Sequence, residues 1–475
     1  MPPMSLRPFK FLLLFLLSLP AVSQAQVIVD TTSLPELVLV DSIVLSGQNI
    51  TRVSVIEREY VMHTGDSIPR NLFIKTLERT RENLINTFLF NFVTITAQNI
   101  GNNRVMVFIH VEERWYIFPL PVFELVDRNF NEWVKSGDWS RVNFGLNLKW
   151  SNFRGMNETM NFLFKWGYTE NIGLNYIIPY INKNKEEGLA IKTTYSRDKE
   201  VVYSVFDSKP QRYKVESRFM RREVTAGLTY SRRKGYYKTS SFFAEYRKVS
   251  VDDTIPVLNS EYFGNSRTRQ QLITFSWLYR RDFRDIKVYP LSGYMLDLEA
   301  TKLGFGLLPD EPNLLFLTAQ YKAFRKLTSR WFVAGSVKGK LSGQGNQPYY
   351  NMKGLGFNND FVRGYELYII PGQNYLISKT ALKFALLPTH VIEVPSIPLE
   401  KFRKIHYAFY LNAFFDVAYV RDRQYENQNP LANDYQYGYG LGLDYVTYYN
   451  LVFRLEYSIN KFGEKGFFLH FTAPI

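Results

Sequence analysis

Beyond residue 116 the chain alternates apolar and polar side chains with a period of two. Such alternation predicts a β-strand that has one face in an apolar environment and the other in water. The clearest apolar faces are Phe144, Leu146, Leu148 and Trp150; Ile273, Phe275, Trp277 and Tyr279; Tyr407, Phe409, Leu411, Ala413, Phe415 and Val417; and Leu451, Phe453, Leu455, Tyr457 and Ile459. We therefore predict a mainly β domain over residues 116–475.

The length of these runs distinguishes a membrane barrel from a soluble sandwich. Sandwich strands usually have about 5 or 6 residues, whereas a tilted strand needs about 9 to 11 residues to cross a membrane. Most runs here reach the second length. We count about sixteen of them, and an even number is typical of bacterial barrels. The sequence thus predicts a transmembrane antiparallel β-barrel of about 16 strands.

The connections between the runs orient the barrel. If the first strand leaves the inner side of the membrane, the outer connections are 196–222, 251–267, 343–373 and 421–434, and the inner ones are 152–157, 233–236, 326–329 and 447–449. Long outer and short inner connections are typical of outer-membrane barrels. The long inner connection 387–403 breaks this rule, and the sequence offers no physical reason for it.

Residues 37–115 precede the barrel and have a mixed pattern, in the order strand, helix, helix, strand, strand. The second helix places Phe73, Leu77, Leu84 and Phe88 on one face, as a helix packed on a sheet requires. The last strand has valine or isoleucine at every odd position from 105 to 111. We predict a small α+β domain in which the helices cover one face of a sheet.

The first residues have the pattern of an export signal. Arg7 and Lys10 precede an apolar run from Phe11 to Leu19, and small residues surround Ala25. This pattern predicts a cleaved signal peptide over residues 1–25. A membrane anchor is the alternative, but the run is shorter than the roughly 20 residues that a spanning helix needs. A short segment, 26–36, then leads into the α+β domain.

Composition narrows the class of protein. The chain has 475 residues, 46% of them hydrophobic and 16% aromatic, which excludes a mostly disordered protein. A mean hydropathy of −0.21 argues against a bundle of membrane helices, and the absence of cysteine excludes disulfides. The net charge is +14. Because basic clusters lie at strand ends of an exported protein, we expect them to face anionic lipid and not nucleic acid.

Residues for catalysis or metal binding do not form recognisable motifs. The five histidines are scattered along the chain, at positions 63, 110, 390, 406 and 470, without the spacing of metal ligands. The sequence has no phosphate-binding loop and no GxSxG elbow. We therefore expect a non-enzymatic protein with no cofactor and no metal.

Two segments carry a resemblance to known families. In the α+β domain, Gly47-Gln48-Asn49-Ile50-Thr51 follows the first strand and Ile56-Glu57-Arg58-Glu59 lies in the first helix. This order resembles a POTRA domain, with a generic α+β domain as the alternative. In the longest outer connection, Val362-Arg363-Gly364-Tyr365 resembles the signature loop of the BamA/TamA superfamily of outer-membrane assembly proteins. The loop also lies where that family has it, about two thirds of the way through the barrel.

The resemblance implies that this loop folds into the barrel lumen. An arginine there can form paired hydrogen bonds with an inward carboxylate. Asp416, which matches a family aspartate, is the preferred partner of Arg363, and Asp444 and Glu456 are the alternatives. For the motif alone, a solvated arginine in an exposed loop is the competing interpretation.

The final strand resembles the terminal recognition signal of outer-membrane barrels. Its apolar face consists of Phe467, Leu469, Phe471, Ala473 and Ile475. This chain has Ile475 where such barrels usually end in an aromatic residue. The resemblance implies a seam between this strand, Gly466 to Ile475, and the first strand, near Pro119 to Leu125.

The function that the resemblance implies is the assembly, insertion or translocation of other proteins at the bacterial outer membrane, with the α+β domain in the periplasm. In the implied mechanism an unfolded client strand adds to a sheet edge and the barrel seam opens sideways. Expected partners are outer-membrane lipid, unfolded outer-membrane or secreted clients, and other subunits of an assembly machine. The alternatives are a dedicated protein-secretion or solute channel and a structural accessory of a larger machine.

Overall fold

The computed structural model describes residues 27–30, 34–125, 142–215, 217–343, 346–357, 360–425, 428–447, 449 and 451–471. The predicted signal peptide, residues 1–25, and the last predicted seam residue, Ile475, lie outside this part. The described strands form a five-stranded sheet, a 16-stranded sheet and a two-stranded hairpin. None of the helices in these ranges is long and apolar enough to cross a membrane.

Five strands and two helices form the N-terminal domain. They are β1 (Val27–Val29), β2 (Leu37–Ser46), α1 (Val53–Glu57), β3 (Ser67–Pro69), α2 (Arg70–Ile85), β4 (Phe90–Gly101) and β5 (Arg104–Glu113). The sheet order is β1-β4-β5-β2-β3, with β2 parallel and β4 antiparallel to β5. The predicted order of strand, helix, helix, strand, strand is confirmed, and β1 and β3 are added at the sheet edges.

Helix α2 packs its apolar face on this sheet. Phe73, Leu77 and Leu84 are completely buried and share one core with the odd-numbered side chains of β5. The prediction for Phe88 was wrong. Because α2 ends at Ile85, Phe88 lies in the following turn, where its φ is 62° and 38% of its surface is exposed.

Sixteen strands form the barrel wall. They are β6 (Ile117–Leu125), β7 (Val142–Phe153), β8 (Glu158–Gly167), β9 (Thr169–Ile178), β10 (Glu187–Asp198), β13 (Arg221–Lys234), β14 (Lys238–Val251), β15 (Arg269–Asp282), β16 (Gly293–Leu303), β17 (Leu314–Lys326), β18 (Trp331–Ser342), β19 (Asn374–Glu393), β20 (Lys404–Arg421), β21 (Tyr435–Thr447), β22 (Leu451–Asn460) and β23 (Lys465–His470). Neighbours in this order are antiparallel. The predicted antiparallel barrel is therefore confirmed.

The wall has the two faces that the alternation predicts. On β15, Phe275 and Trp277 are 42% and 40% exposed, whereas Thr274 and Ser276 are buried and face the lumen. On β21 the tyrosine and leucine side chains point outward and the glycines lie on the inner face. An outer apolar band and a polar interior are what a barrel in lipid requires.

The outer connections pack together over the barrel. Between β10 and β13 they include the hairpin of β11 (Glu200–Phe206) and β12 (Lys209–Lys214), and between β14 and β15 the short helix α3 (Thr254–Leu258). Their buried cluster includes Val201, Val205, Ile255, Tyr262, Phe263, Tyr349 and Tyr350. We refer to these packed connections as the outer cap.

The N-terminal domain is docked on the inner end of the barrel. Glu59, which is 1% exposed, accepts hydrogen bonds from both terminal nitrogens of Arg233 at 2.6 and 2.7 Å. The side chain of Asn86 donates to the carbonyl oxygen of Asp285 at 2.6 Å and accepts from the backbone of Lys287 at 2.9 Å. These contacts join the domain to the inner turns of the wall.

The first seven residues of the long inner connection 387–403 belong to β19, which ends at Glu393, and β20 begins directly after the connection, at Lys404. β19 and β20 continue beyond the membrane-spanning length, so their hairpin reaches the N-terminal domain. There Lys404 Nζ donates to Glu112 Oε1 at 2.7 Å, and the Asn91 side chain donates to the carbonyl oxygen of Lys401 at 3.1 Å. The exception to the loop-length rule is thus a contact between the two parts of the molecule.

Candidate functional site in the barrel lumen

The connection between β18 and β19 turns back into the lumen, and we call it the lumen loop. A backbone bridge pairs Leu355 with Ile370. Gly364 has a φ of 93°, a conformation that glycine adopts without strain. A Cβ atom added at Gly438 on β21 would lie 1.9 Å from the carbonyl oxygen of Arg363. A glycine at this wall position is therefore what lets the loop approach so closely.

Arg363 is completely buried and pairs with Asp416 on β20. Its Nη2 donates to Asp416 Oδ1 at 2.5 Å and its Nε donates to Oδ2 at 2.8 Å. Two such bonds define both the distance and the orientation of the pair. The guanidinium also lies 3.9 Å from the ring centroid of Phe414 and donates to the carbonyl oxygen of Thr380 at 3.1 Å. The structure therefore places Arg363 against the partner that the sequence favoured.

Glu456 connects Arg363 to a second buried arginine, Arg454. Its Oε1 accepts from Arg363 Nη1 at 3.3 Å and from Arg454 Nη1 at 3.4 Å. Asp444 instead accepts from Nε of Arg454 and, at 2.6 Å, from its Nη2. These four side chains and Asp416 are 0% exposed, and we call them the lumen cluster. Both alternative partners of Arg363 thus belong to it, Glu456 directly and Asp444 through Arg454.

The other motif residues anchor the lumen loop. Val362 and Tyr365 are 1% and 2% exposed and belong to an apolar cluster with Leu355 and Val420. The Tyr365 hydroxyl accepts a hydrogen bond from the backbone nitrogen of Lys461 at 3.3 Å. Because Lys461 follows β22 directly, the loop is tied to the last hairpin as well as to the wall.

Two further groups meet beside Glu456. His470 Nε2, on β23, lies 3.2 Å from Glu456 Oε2 and 3.8 Å from Oε1 of Glu366 in the lumen loop. Burial, and then the nearby charge of Glu456, raises the pKa of Glu366 to about 8. The three ligand atoms lie within 4.8 Å of one another. In the described part of the chain, they are the group of side chains that could hold a metal ion.

Among the described residues, strand β23 has the shortest pairing of the barrel wall. It pairs with β22 over six residues, and among the described strands neither β6 nor β23 has a second partner. Phe467 and Phe471 are 62% and 64% exposed on the outer face, and Gly466 lies on the inner face. The predicted seam, Gly466 to Ile475, is therefore described as far as Phe471.

Comparison with known proteins identifies the family. Residues 152–465, more than half of the chain, match the Omp85 superfamily domain. This chain belongs to the Omp85 superfamily. It is accordingly a bacterial outer-membrane barrel whose N-terminal domain lies in the periplasm, and the predicted superfamily and location are confirmed. No curated protein matches the chain significantly.

Solved structures resemble this Omp85 chain in fold. CdiB from Escherichia coli is 13% identical with a TM-score of 0.54, and the match covers 91% of this chain and 75% of that one. BamA from Haemophilus ducreyi lacking POTRA domains 1–3 is 15% identical with a TM-score of 0.49, covering 89% and 81% of the two chains. At 13% identity, the likeness of this Omp85 chain to CdiB shows a shared fold alone.

Arg454, Glu366 and His470 of this Omp85 chain were not among the predicted site residues. One signal for Arg454 was present, because the alternation of β22 places it on the polar face. Its pairing with Asp444 depends on the register of β21 and β22, in which the two residues are direct neighbours. Glu366 and His470 are brought together only by the return of the lumen loop, which leaves no periodic trace in the sequence.

Proposed function

We propose that this protein assembles, inserts or translocates client proteins at the outer membrane without enzymatic chemistry. The observation that carries the proposal is the arrangement of β6 and β23 at the two ends of the strand order, each with one partner among the described strands. Unpaired strand edges present backbone N–H and C=O groups to which another chain can add. A client strand would pair with such an edge as the seam opens sideways.

The periplasmic sheet supports the same mechanism. On one side β3 pairs with β2 at three positions, Leu37–Leu39, so that most of β2 has no neighbour on that side within the described sheet. On the other side β1 pairs with Ile95–Ala97 of β4. We propose that an unfolded client strand adds to one of these edges before it reaches the barrel.

The lumen cluster would stabilise the closed state of the seam. Through Arg363 the lumen loop binds Asp416 on β20 and Glu456 on β22. Through Tyr365 it contacts the connection from β22 to β23. The loop therefore holds together β20, β22 and the last hairpin on one side of the seam, and its release would accompany opening.

Depletion of the protein tests the proposed function first. We expect broad loss of other barrel proteins from the outer-membrane proteome, measured by quantitative mass spectrometry. Loss of one secreted protein alone would contradict a general assembly role and favour a dedicated channel. An unchanged proteome together with co-purification of an assembly machine would favour an accessory role.

A crosslink across the seam tests the mechanism. The native chain has no cysteine, so Phe123→Cys on β6 and Phe467→Cys on β23 can be joined by a flexible bis-maleimide. Both side chains are exposed on the outer face, where Phe123 is the register partner of Phe144. We expect the joined protein to fail in rescuing depleted cells. The control is Phe144→Cys with Trp166→Cys, which are register partners on β7 and β8. If the seam crosslink rescues as well as this control, lateral opening is excluded.

A dedicated channel for anionic cargo is the second candidate, because one part of the lumen wall is rich in lysine. Three consecutive strands, β17 to β19, contribute the inner-face residues Lys322, Lys338, Lys340, Lys379 and Lys383. A positive lining favours anions. Large and steady anion-selective conductance in planar bilayers would support this candidate, whereas rare or transient opening would support the assembly role.

A further inference from the structure

Beside the lumen cluster, three side-chain atoms face one another: Glu366 Oε1, Glu456 Oε2 and His470 Nε2. Within the described part of the chain, His470 Nε2 lies at ion-pair distance, 3.2 Å, from Glu456 Oε2, and Glu366 Oε1 has no hydrogen-bond partner. Glu366 is 9% exposed and Glu456 is 0% exposed. Leaving a buried polar atom such as Glu366 Oε1 without a partner is unfavourable. Two buried carboxylates and an imidazole around one point therefore indicate that a ligand belongs there.

The other oxygen of each carboxylate, in Glu366 and in Glu456, already accepts hydrogen bonds. Glu456 Oε1 accepts from the two arginines of the lumen cluster, and Glu366 Oε2 accepts from the backbone nitrogen of Gly364 at 2.9 Å. These contacts hold both carboxylates in place and direct their free oxygens toward His470. One imidazole nitrogen can donate a hydrogen bond to one of these oxygens and leaves the other unsatisfied.

A small cation fits the distances. Zinc lies about 2.0–2.2 Å from imidazole nitrogen and carboxylate oxygen in tetrahedral sites, which places two ligand atoms about 3.4 Å apart. The separations from His470 Nε2 are 3.2 Å to Glu456 and 3.8 Å to Glu366. The two carboxylate oxygens lie within 4.8 Å of each other, so the Glu366 side chain would rotate toward Glu456 when an ion binds.

The donor set selects the class of metal. Calcium and magnesium prefer sites built from oxygen atoms alone, whereas an imidazole suits zinc and related transition metals. Three protein ligands leave a fourth position for water. His470 retains 19% side-chain exposure, which gives an ion a route to the site.

We propose that Glu366, Glu456 and His470 bind one divalent transition-metal ion, with Zn²⁺ as the representative. The three ligands come from the lumen loop, from β22 and from β23. The bound ion therefore ties the six-residue edge strand of the barrel to its neighbour and to the loop. This assignment is independent of which client the protein handles.

Zinc titration of the full-length protein tests the site. The protein, purified in detergent without a histidine tag, is titrated with Zn²⁺ alone by isothermal calorimetry. We expect one ion per chain, and at least about tenfold weaker binding in His470→Gln and in Glu366→Gln. The matched control is His63→Gln, because His63 is 70% exposed on the N-terminal domain. Absence of binding by the unmodified protein, or equal binding by the ligand variants, would overturn the proposal.

Two further measurements separate metal binding from folding. Heat-dependent migration on gels shows whether each variant still forms the barrel. Glu366→Gln lies in the lumen loop, so this substitution changes no residue of the barrel wall. In the unmodified protein, Zn²⁺ should slow amide hydrogen exchange in 465–470, and in His470→Gln it should not. Equal exchange with and without Zn²⁺ in the unmodified protein would refute the role of the ion in holding β23.

Discussion

The guanidinium of Arg363 is completely buried. Burying this group is favourable only because carboxylates contact it. Asp416 accepts two hydrogen bonds from the guanidinium and Glu456 accepts a third. The desolvation penalty of a buried ion pair is large, and removing one partner costs about 3–5 kcal/mol because it leaves the other charge unpaired. At the scale of single residues, this arginine links the lumen loop to β20 and β22.

Arg363→Ala should therefore release the lumen loop. We expect the free energy of unfolding to fall by about 3–5 kcal/mol, and added protease to cut the loop from the outside. Denaturant unfolding in detergent measures the first effect, and proteolysis of intact cells measures the second. Arg325→Ala is the control, because Arg325 is exposed at the inner end of β17. Normal client insertion with an unchanged protease pattern would contradict the proposal that Arg363 holds the lumen loop in place.

At the scale of elements, strand β21 is shaped to receive the lumen loop. Its inner face consists of glycines at 438, 440 and 442, and a Cβ atom at each would meet another atom within 3 Å. At Gly438 the nearest atom belongs to the lumen loop, whereas at Gly440 and Gly442 the nearest atoms belong to the neighbouring strands β20 and β22. Packing between loop and wall thus depends on the absence of a side chain at Gly438.

Gly438→Ala should displace the loop, although the substitution is small and the strand tolerates alanine. Overpacking of this kind costs about 1–3 kcal/mol, measured as lower resistance to denaturant. Gly335→Ala on β18 is the matched control, because a Cβ atom there meets nothing within 4 Å. Equal stability of the two variants would show that the loop does not depend on Gly438.

The elements themselves were predictable, and their contacts were not. Alternation of side chains determines a strand locally, so the barrel strands and the α+β order could be predicted from the sequence. The pairing of Arg363 with Asp416 was available through a family resemblance. The contact of Glu366 with His470 joins residues about a hundred positions apart and depends on strand register. The extension of β19 and β20 beyond the membrane-spanning length was not predicted either, because the contacts that it makes lie on the N-terminal domain.

At the scale of the whole molecule, the barrel is covered at both ends. The outer cap packs aromatic side chains over one end, with Tyr262 and Phe263 of one connection against Tyr350 of another. The N-terminal domain is docked on the other end through Glu59 and Arg233. Passage through the lumen would require one or both covers to move.

Arg233→Ala should loosen the inner cover. The substitution leaves Glu59 buried without its partner, and removing one member of a buried pair is strongly destabilising. Because Arg233 itself is 27% exposed, we expect a loss at or below the lower end of the usual range, about 3 kcal/mol. Because the N-terminal domain would then cover the inner end of the lumen less firmly, planar-bilayer recordings should show more frequent channel opening.

Arg232→Ala provides the comparison for this test, because Arg232 is the exposed neighbour on the same strand. Both substitutions remove one positive charge from the same end of β13. Equal conductance of the two variants would show that docking of the N-terminal domain does not restrict the lumen.

The strand β1 places residues 27–29 on the edge of β4, one of the edges where a client strand is proposed to add. Because a short segment joins β1 to the same domain, its local concentration at that edge is on the order of millimolar. A client would have to compete with this tethered strand. A segment that pairs over three residues would gain little by the exchange, whereas a longer segment would displace β1. The edge would therefore select its clients by the length of the strand that they offer.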